Sequence, residues 1–326
     1  MTMRIWVVAF IASLSFRWAE TGPLPQPAPF VPASANLIVY VDWSALLASS
    51  VLAGVETSLI DSDSWAAIEE LAELSGMDPL KDLWSVVYFT TPAEDGGSGW
   101  GIAGYGAFDP ERLIENAEAR GRVSRARYRE TTLYTLPALG PSLGNLTGEQ
   151  VVAFPDSTTV LFGAPAQVRA MLDAGSGFAP AASDSGALAG ALEEFTAAES
   201  LWTVGAGDGG LASRAGGAGA IGLSNVPPLV SFSLSARFGM KVKVRARAET
   251  LDSETANRLA EVVRGIAAMG ALAQPVDESL QEVLESLEVE TIDERVEFSF
   301  EIDQDTVREY LRAREGEDRK PRARER

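Results

Sequence analysis

The sequence predicts an α+β protein of two tandem modules, each a largely antiparallel sheet with helices packed on one face. Short stretches of strand character alternate with longer amphipathic stretches of helix character, and turn residues separate neighbouring strands. The order of these segments in the first half of the chain recurs in the second half. Antiparallel hairpins with helices on one face bury such amphipathic elements in the simplest way.

The first 34 residues precede the predicted modules. Residues 1–19 have the pattern of a signal peptide, because Arg4 is followed by an apolar run that is shorter than the ~20 residues needed to span a bilayer. An uncleaved anchor is the alternative, since Arg17-Trp18-Ala19 is a poor processing sequence. Residues 20–34 form a proline-spaced linker. We therefore expect an exported protein, periplasmic or extracellular, that contacts the membrane only through its N-terminal segment if that segment is uncleaved.

The first module is predicted over residues 35–175. Its predicted strands are 36–42, 84–90, 100–108, 132–136, 150–154 and 158–162. Its predicted helices are 43–55, 64–75, 111–119 and 165–172. Asp78-Pro79 and Asp109-Pro110 each combine an N-cap aspartate with a proline at the first helical position, which predicts that a helix begins at both places.

The second module is predicted over residues 176–314. Its predicted strands are 201–204, 229–238, 240–249, 288–292 and 295–302. Helices are expected from the Asp252 cap to Leu272, over 277–287, and after Asp303. A charged tail, residues 315–326, follows; it is either an attachment to an anionic envelope surface or a solvated terminus, and the second interpretation is favoured.

Positive charges line one side of the predicted strand that begins at Lys241. Strand side chains alternate between faces, so Lys241, Lys243, Arg245 and Arg247 share one face and small apolar residues share the other. The row either binds an anion or pairs with acidic residues of the later hairpin. The acidic candidates are Glu288, Glu290, Glu297 and Glu301. We favour the charge-paired sheet face, because opposite charges on neighbouring strands stabilise a sheet.

The composition excludes several kinds of site. The 326 residues include no histidine and no cysteine, which excludes Ser-His-Asp and Cys-His catalysis, histidine-ligated zinc and disulfides. A net charge of −19 argues against nucleic-acid binding by the body of the protein. We expect no cofactor and no enzymatic activity.

Three motifs suggest chemistry only weakly. Gly205 to Gly210 fits the dinucleotide-binding pattern, but no good helix and no ribose-binding acid follow it, so a loop is expected over Gly205–Pro228. The run from Asp61 to Ser64 resembles the start of a calcium loop without its glycine or closing glutamate, and a helix cap explains it. Adjacent carboxylates, which leave a hydrolase open as a hypothesis, are Glu69/Glu70, Glu193/Glu194 and Asp293/Glu294.

Aromatic residues supply the candidate ligand or partner surface. The candidates are Trp84, Tyr88, Trp100, Tyr105 and Trp202. Such residues line a sugar or lipid pocket in some proteins, but core packing of a hairpin explains the same pattern and is favoured for the first four.

The first part of the mature region resembles a group of uncharacterised exported bacterial proteins. The segments that carry the resemblance are Val31-Pro32-Ala33 leading into the strand from Asn36, Phe108-Asp109-Pro110, and Val160 to Gly163. The resemblance covers about the first half of the mature chain. It implies export and a tandem α+β layout, and it implies no activity and no catalytic residue.

Three functions are compatible with these features. The first is a non-catalytic exported protein that binds a partner protein or another envelope component. The second is a carrier or sensor of a hydrophobic small molecule, which requires an enclosed apolar pocket of ~300 Å³ or more. The third is a carboxylate-dependent hydrolase, which requires two acidic groups facing one cleft.

Overall fold

The computed structural model describes residues 29–49, 51, 77–78, 80–92, 98–136, 149–193, 195, 199–207, 229–272 and 278–308. The strands are β1 (Leu37–Asp42), β2 (Leu83–Pro92), β3 (Ser98–Gly106), β4 (Ser124–Tyr128), β5 (Thr131–Thr135), β6 (Val151–Asp156), β7 (Thr159–Gly163), β8 (Leu201–Ala206), β9 (Leu229–Phe238), β10 (Lys241–Thr250), β11 (Glu288–Ile292) and β12 (Arg295–Asp303). The helices are α1 (Trp43–Ala48), α2 (Pro110–Arg120), α3 (Pro165–Gly175), α4 (Ala189–Leu192), α5 (Ser253–Leu272) and α6 (Glu278–Ser286), and residues 304–308 are also helical.

All these strands belong to one antiparallel sheet. Their order is β11-β12-β10-β9-β8-β1-β2-β3-β7-β6-β5-β4. Strands from the two halves of the chain meet where β1 pairs with β8, with Tyr40 opposite Trp202. The antiparallel α+β class is therefore confirmed, while the division into two tandem modules stays a prediction.

Side chains alternate along the strands, so the sheet has two faces, and different segments pack on each face. The front face carries Tyr40, Phe89 and Trp202. Its part from β8 to β5 in the sheet order is apolar and is buried beneath α3 and residues 182–192. The front face of β9, β10 and β12 is polar instead. This polar part includes the lysine and arginine row of β10.

The back face is covered by other helices. There Val41 packs with Leu46 of α1, Val152 packs with Ile114 of α2, and Ala248 packs with Leu259 of α5. Helices consequently lie on both faces of the sheet, which corrects the expectation of helices on one face. The reason is that the first half has apolar residues on both sides of its strands, so that each side needs a cover.

Aspartate caps account for several helix starts. The carboxylates of Asp42, Asp109 and Asp252 accept hydrogen bonds from the backbone N–H groups three residues later, at 2.8, 3.1 and 2.7 Å. The predicted helix at Asp78 does not form among the described residues. Asp78 supports a turn there, because its carboxylate accepts from the N–H of Leu80 at 3.0 Å and β2 begins a few residues later.

Some predictions lie outside the described residues. These are the signal peptide, most of the linker, the helix over 64–75, the Asp61 to Ser64 motif, the carboxylates at 69 and 70, most of the Gly205–Pro228 loop and the charged tail. The strand β4 and the short helix α4 were not predicted from the sequence.

Candidate functional site

The five candidate aromatic residues do not come together at one surface. Tyr105 and Trp202 are buried on the front face, with 5% and 2% of their surface exposed. Tyr88 and Trp100 are half-buried on the back face, and Trp84 lies at the irregularity between Leu83 and Ser85 in β2. The sheet itself thus separates the set into two groups.

Trp202 belongs to a stack of rings in the core. Its ring lies 5.3 Å from that of Tyr40 and 4.7 Å from that of Phe195, with interplanar angles of 19° and 8°. Burial is the main reason that the pKa of Tyr40 is raised, with the nearby Asp42 carboxylate adding to it. Trp202 therefore packs β8 against Tyr40 of β1 and against Phe195, and almost none of its surface is exposed to a ligand.

The basic row of β10 is paired with acidic residues of β12. The ammonium of Lys243 lies 2.5 Å from the Glu301 carboxylate, and the guanidinium of Arg247 lies 2.7 Å from that of Glu297. The hydrogen bond from Lys243 lowers the pKa of Glu301. These pairs confirm the charge-paired interpretation at both positions.

Two adjoining clefts open on the polar part of the front face, beside α4. The larger has a volume of about 220 Å³ and is lined by Ser231, Arg247 and Arg295, among others. The smaller, about 40 Å³, shares Arg247 and reaches Phe195. Neither is the enclosed apolar pocket that a hydrophobic carrier needs, because charged and hydroxyl side chains line both.

The described carboxylates of the predicted adjacent pairs lie elsewhere. Asp293 and Glu294 form the turn between β11 and β12, and both are exposed. Glu193 is exposed after α4. None of the three is among the residues that line the two clefts.

A basic surface lies at the opposite end of the sheet. Five arginines and one glutamate occur between Arg120 and Glu130, in a chain whose net charge is −19. We use the name arginine edge for β4 together with Arg122 and Arg129, which flank it. The strand is the outermost one on its side of the sheet in the described part of the chain, and its residues from Ser124 to Arg127 are exposed.

The side chains of the arginine edge are held to different degrees. Arg125 lies 2.5 Å from the Glu118 carboxylate of α2. Arg127 donates from Nε to the backbone carbonyl of Arg129 at 3.1 Å. Arg122 and Arg127 form no ion pair with any residue that the structure describes. Two positive charges of the edge thus remain available for a partner.

The turn that follows β4 is fixed to α3. Arg129 donates to the Asp173 carboxylate at 2.6 Å, and the hydroxyl of Tyr128 donates to the same carboxylate at 2.8 Å. The bond from Arg129 is the main reason that the pKa of Asp173 is lowered. The Arg129 guanidinium also covers the ring of Phe178, 3.7 Å from its centre. These contacts position one end of the arginine edge on the body of the protein.

Sequence reasoning missed this surface. Ser-Arg-Ala-Arg-Tyr has no apolar alternation, so its periodicity does not indicate a strand. The available signal was the local reversal of charge, five arginines within ten residues of an acidic chain.

The described residues contain neither a membrane-spanning helix nor a metal-binding cluster. No described helix combines the length and the apolar character needed to cross a membrane. No cluster of three or more potential metal-binding side chains occurs within the described ranges.

Comparisons with known proteins give no family. No protein-family model matches the chain, and no curated protein matches it. The chain is similar to a solved structure, "Structure of crystal form I of TP0453", with 8% sequence identity and a TM-score of 0.48, over 89% of this chain and 98% of that chain.

Proposed function

We propose that the protein is a non-catalytic exported protein that binds a partner protein through the arginine edge. The observation that carries the proposal is an exposed row of arginines on a sheet edge of a protein with a net charge of −19. A basic patch on an acidic body attracts and orients an acidic partner. Arginine suits this role because its planar guanidinium binds carboxylates with two parallel hydrogen bonds.

A partner protein fits this edge better than an anionic envelope surface does. A membrane surface is broad, so it would also face the acidic body of the protein, and repulsion would oppose the attraction of a few arginines. A protein segment is narrow enough to contact the edge alone. Export remains part of the proposal on the pattern of Arg4 and the apolar run after it.

Charge reversal at the edge tests the proposal. The probe is a fluorescent ten-residue peptide in which glutamate and valine alternate, and the measurement is fluorescence anisotropy at low salt. We expect the wild type to bind the peptide and the double variant Arg125→Glu/Arg127→Glu to bind it at least ten-fold more weakly, which corresponds to about 1.4 kcal/mol. Binding should also weaken as sodium chloride is raised.

A matched control separates the edge from net charge. Arg245→Glu/Arg258→Glu changes the net charge equally at two exposed positions, one on β10, far from β4 in the sheet order, and one on α5, which packs on β10. The proposal is refuted if the two double variants bind the peptide alike, or if the wild type does not bind it. Sedimentation with phosphatidylglycerol vesicles tests the alternative, an anionic envelope surface. If the protein binds these vesicles through Arg125 and Arg127 but does not bind the peptide, the envelope surface is favoured.

We also propose that the two halves of the chain are related modules. Support comes from the order of strands outward from the β1–β8 boundary, which is β1-β2-β3-β7-β6 on one side and β8-β9-β10-β12-β11 on the other. Each series is followed in the chain by a helical segment, α3 in the first half and residues 304–308 in the second. The first half has two strands in addition, β5 and β4, and the arginine edge lies on the outer one, β4.

A further inference from the structure

We infer that the arginine edge binds an extended, acidic segment of its partner as an additional strand of the sheet. The inference rests on the proposed function and specifies how the partner is recognised. In strand addition, main-chain hydrogen bonds to a sheet edge provide affinity, and alternate side chains provide specificity.

The backbone of β4 has the geometry that strand addition requires. It pairs with β5 from Ser124 opposite Thr135 to Tyr128 opposite Thr131. In an antiparallel pair, alternate residues direct their N–H and C=O groups away from the neighbouring strand. No described strand lies on the outer side of β4. The residues from Ser124 to Arg127 are exposed, including Ala126 with its short side chain, so the described part of the chain leaves this edge uncovered.

The opposite edge of the sheet is less suitable. A guanidinium nitrogen of Arg264, on α5, donates to the backbone carbonyl of Val289 in β11 at 2.9 Å. A side chain that binds an edge carbonyl occupies a position that an incoming strand would need. β11 also carries Glu288 and Glu290, which are exposed. The two edges therefore differ both in charge and in access to their backbone.

Side-chain positions on β4 indicate an acidic partner. Arg125 and Arg127 are two residues apart, so they lie on the same face of the sheet, opposite Tyr134 and Thr132 of β5. A strand added to β4 would place alternate side chains of its own beside these arginines. Glutamate or aspartate at those positions pairs with Arg127, which has no ion pair among the described residues, and competes with Glu118 for Arg125. Ser124 and Ala126, on the other face, are small and leave room for apolar side chains.

The same arginines disfavour pairing between the β4 strands of two copies. Two β4 strands side by side would place arginine rows next to each other, and like charges on neighbouring strands destabilise a sheet. Charged residues on edge strands protect many proteins from such self-association. An edge that rejects its own copy still accepts a strand of opposite charge, which is why we assign it to an acidic partner.

The hairpin is ordered before binding. Arg129 has a φ of 51°, in the left-handed region that non-glycine residues seldom adopt, and its bond to Asp173 fixes the turn there. Tyr128, the last residue of β4, is tied to the same carboxylate. An edge that is already fixed loses less conformational entropy when a partner adds to it.

N-methylated peptides test the inference on the full chain. The probe is the alternating glutamate-valine peptide in two methylated forms, one carrying N-methyl groups on its valines and the other on its glutamates. Only one set of amides in a strand faces the neighbouring strand, so one form should bind at least ten-fold more weakly than the other. Amide hydrogen exchange should also slow within residues 124–128 when the unmethylated peptide is added.

The outcomes distinguish the two proposals. If the unmethylated peptide binds and depends on Arg125 and Arg127, but the two methylated forms bind equally, the partner surface stands and strand addition is refuted. If no acidic peptide binds, the proposed function fails and the arginines act as protection against self-association. If sedimentation shows self-association that Glu288→Lys/Glu290→Lys abolishes, the occupant is β11 of a second copy, and a separate acidic partner is refuted.

Discussion

Replacement of Trp202 by alanine tests whether the ring stack holds β8 to β1. The side chain is 2% exposed and stacks on Tyr40 and Phe195. Burial of a tryptophan side chain removes about 200 Å² of surface from water, which at ~25 cal/mol per Å² corresponds to ~5 kcal/mol of stabilisation. Because measured truncations of buried aromatic residues fall at ~3–5 kcal/mol, we expect a loss of about 4 kcal/mol.

Urea unfolding followed by far-ultraviolet circular dichroism measures this loss. With a denaturant slope of ~3 kcal/mol per M, a loss of 4 kcal/mol lowers the urea midpoint by about 1.3 M. Trp100→Ala is the control, because Trp100 is half-buried and, among the described residues, makes one tilted ring contact, with Phe162 at 5.5 Å. Its midpoint should fall by less than half as much.

The result that refutes the reasoning is an equal shift for the two tryptophan variants. It would mean that the stack around Trp202 adds nothing beyond ordinary partial burial. Trp202→Phe, which keeps a ring between Tyr40 and Phe195, should recover more than half of the stability lost in Trp202→Ala.

Two further predictions concern packing and electrostatics. Gly101→Ala should lower the free energy of unfolding in urea by ~1–3 kcal/mol, because an added Cβ would lie 2.5 Å from the ring of Phe89. At Gly190 an added Cβ would meet no described atom within 4 Å outside its own helix and chain neighbours, so Gly190→Ala should change stability by less than ~0.5 kcal/mol. Equal effects of the two variants would contradict this packing. Arg129 lowers the pKa of Asp173, because it binds the charged form of that carboxyl. The stability that this interaction adds to the fold is therefore fully present above the unfolded pKa of ~3.9 and is lost as the pH falls through the folded pKa. Thermal melts should therefore show Asp173→Asn less stable than the wild type at pH 7 and equal to it at low pH, and a difference that does not change with pH would contradict this.

Local sequence patterns predicted many elements well. The hairpin of β9 and β10 turns around Gly239, and β11 and β12 turn at Asp293-Glu294, as the turn residues and alternation indicated. The caps at Asp109 and Asp252 also form. These features depend on contacts between residues near each other in the chain, so the sequence contains most of the information that fixes them.

Local sequence patterns did not predict the arginine edge. β4 becomes a strand through its pairing with β5, although its own residues show no apolar alternation. An edge strand is paired on one side and is exposed elsewhere, so burial imposes little pattern on its sequence. Its charge was visible in the sequence, but its place at the end of the sheet was not.

The sequence by itself determined the excluded chemistry, the α+β class, most strands and helices, and the acidic charge of the body. Those features follow from residue types and from spacing within short segments. Only the tertiary structure decided that β1 pairs with β8 in one sheet, that the candidate aromatic residues lie on opposite faces, and that β4 is an outer strand. These features depend on pairing between segments that are distant in the chain. Register and strand order decide which side chains meet there, and no local pattern encodes either of them.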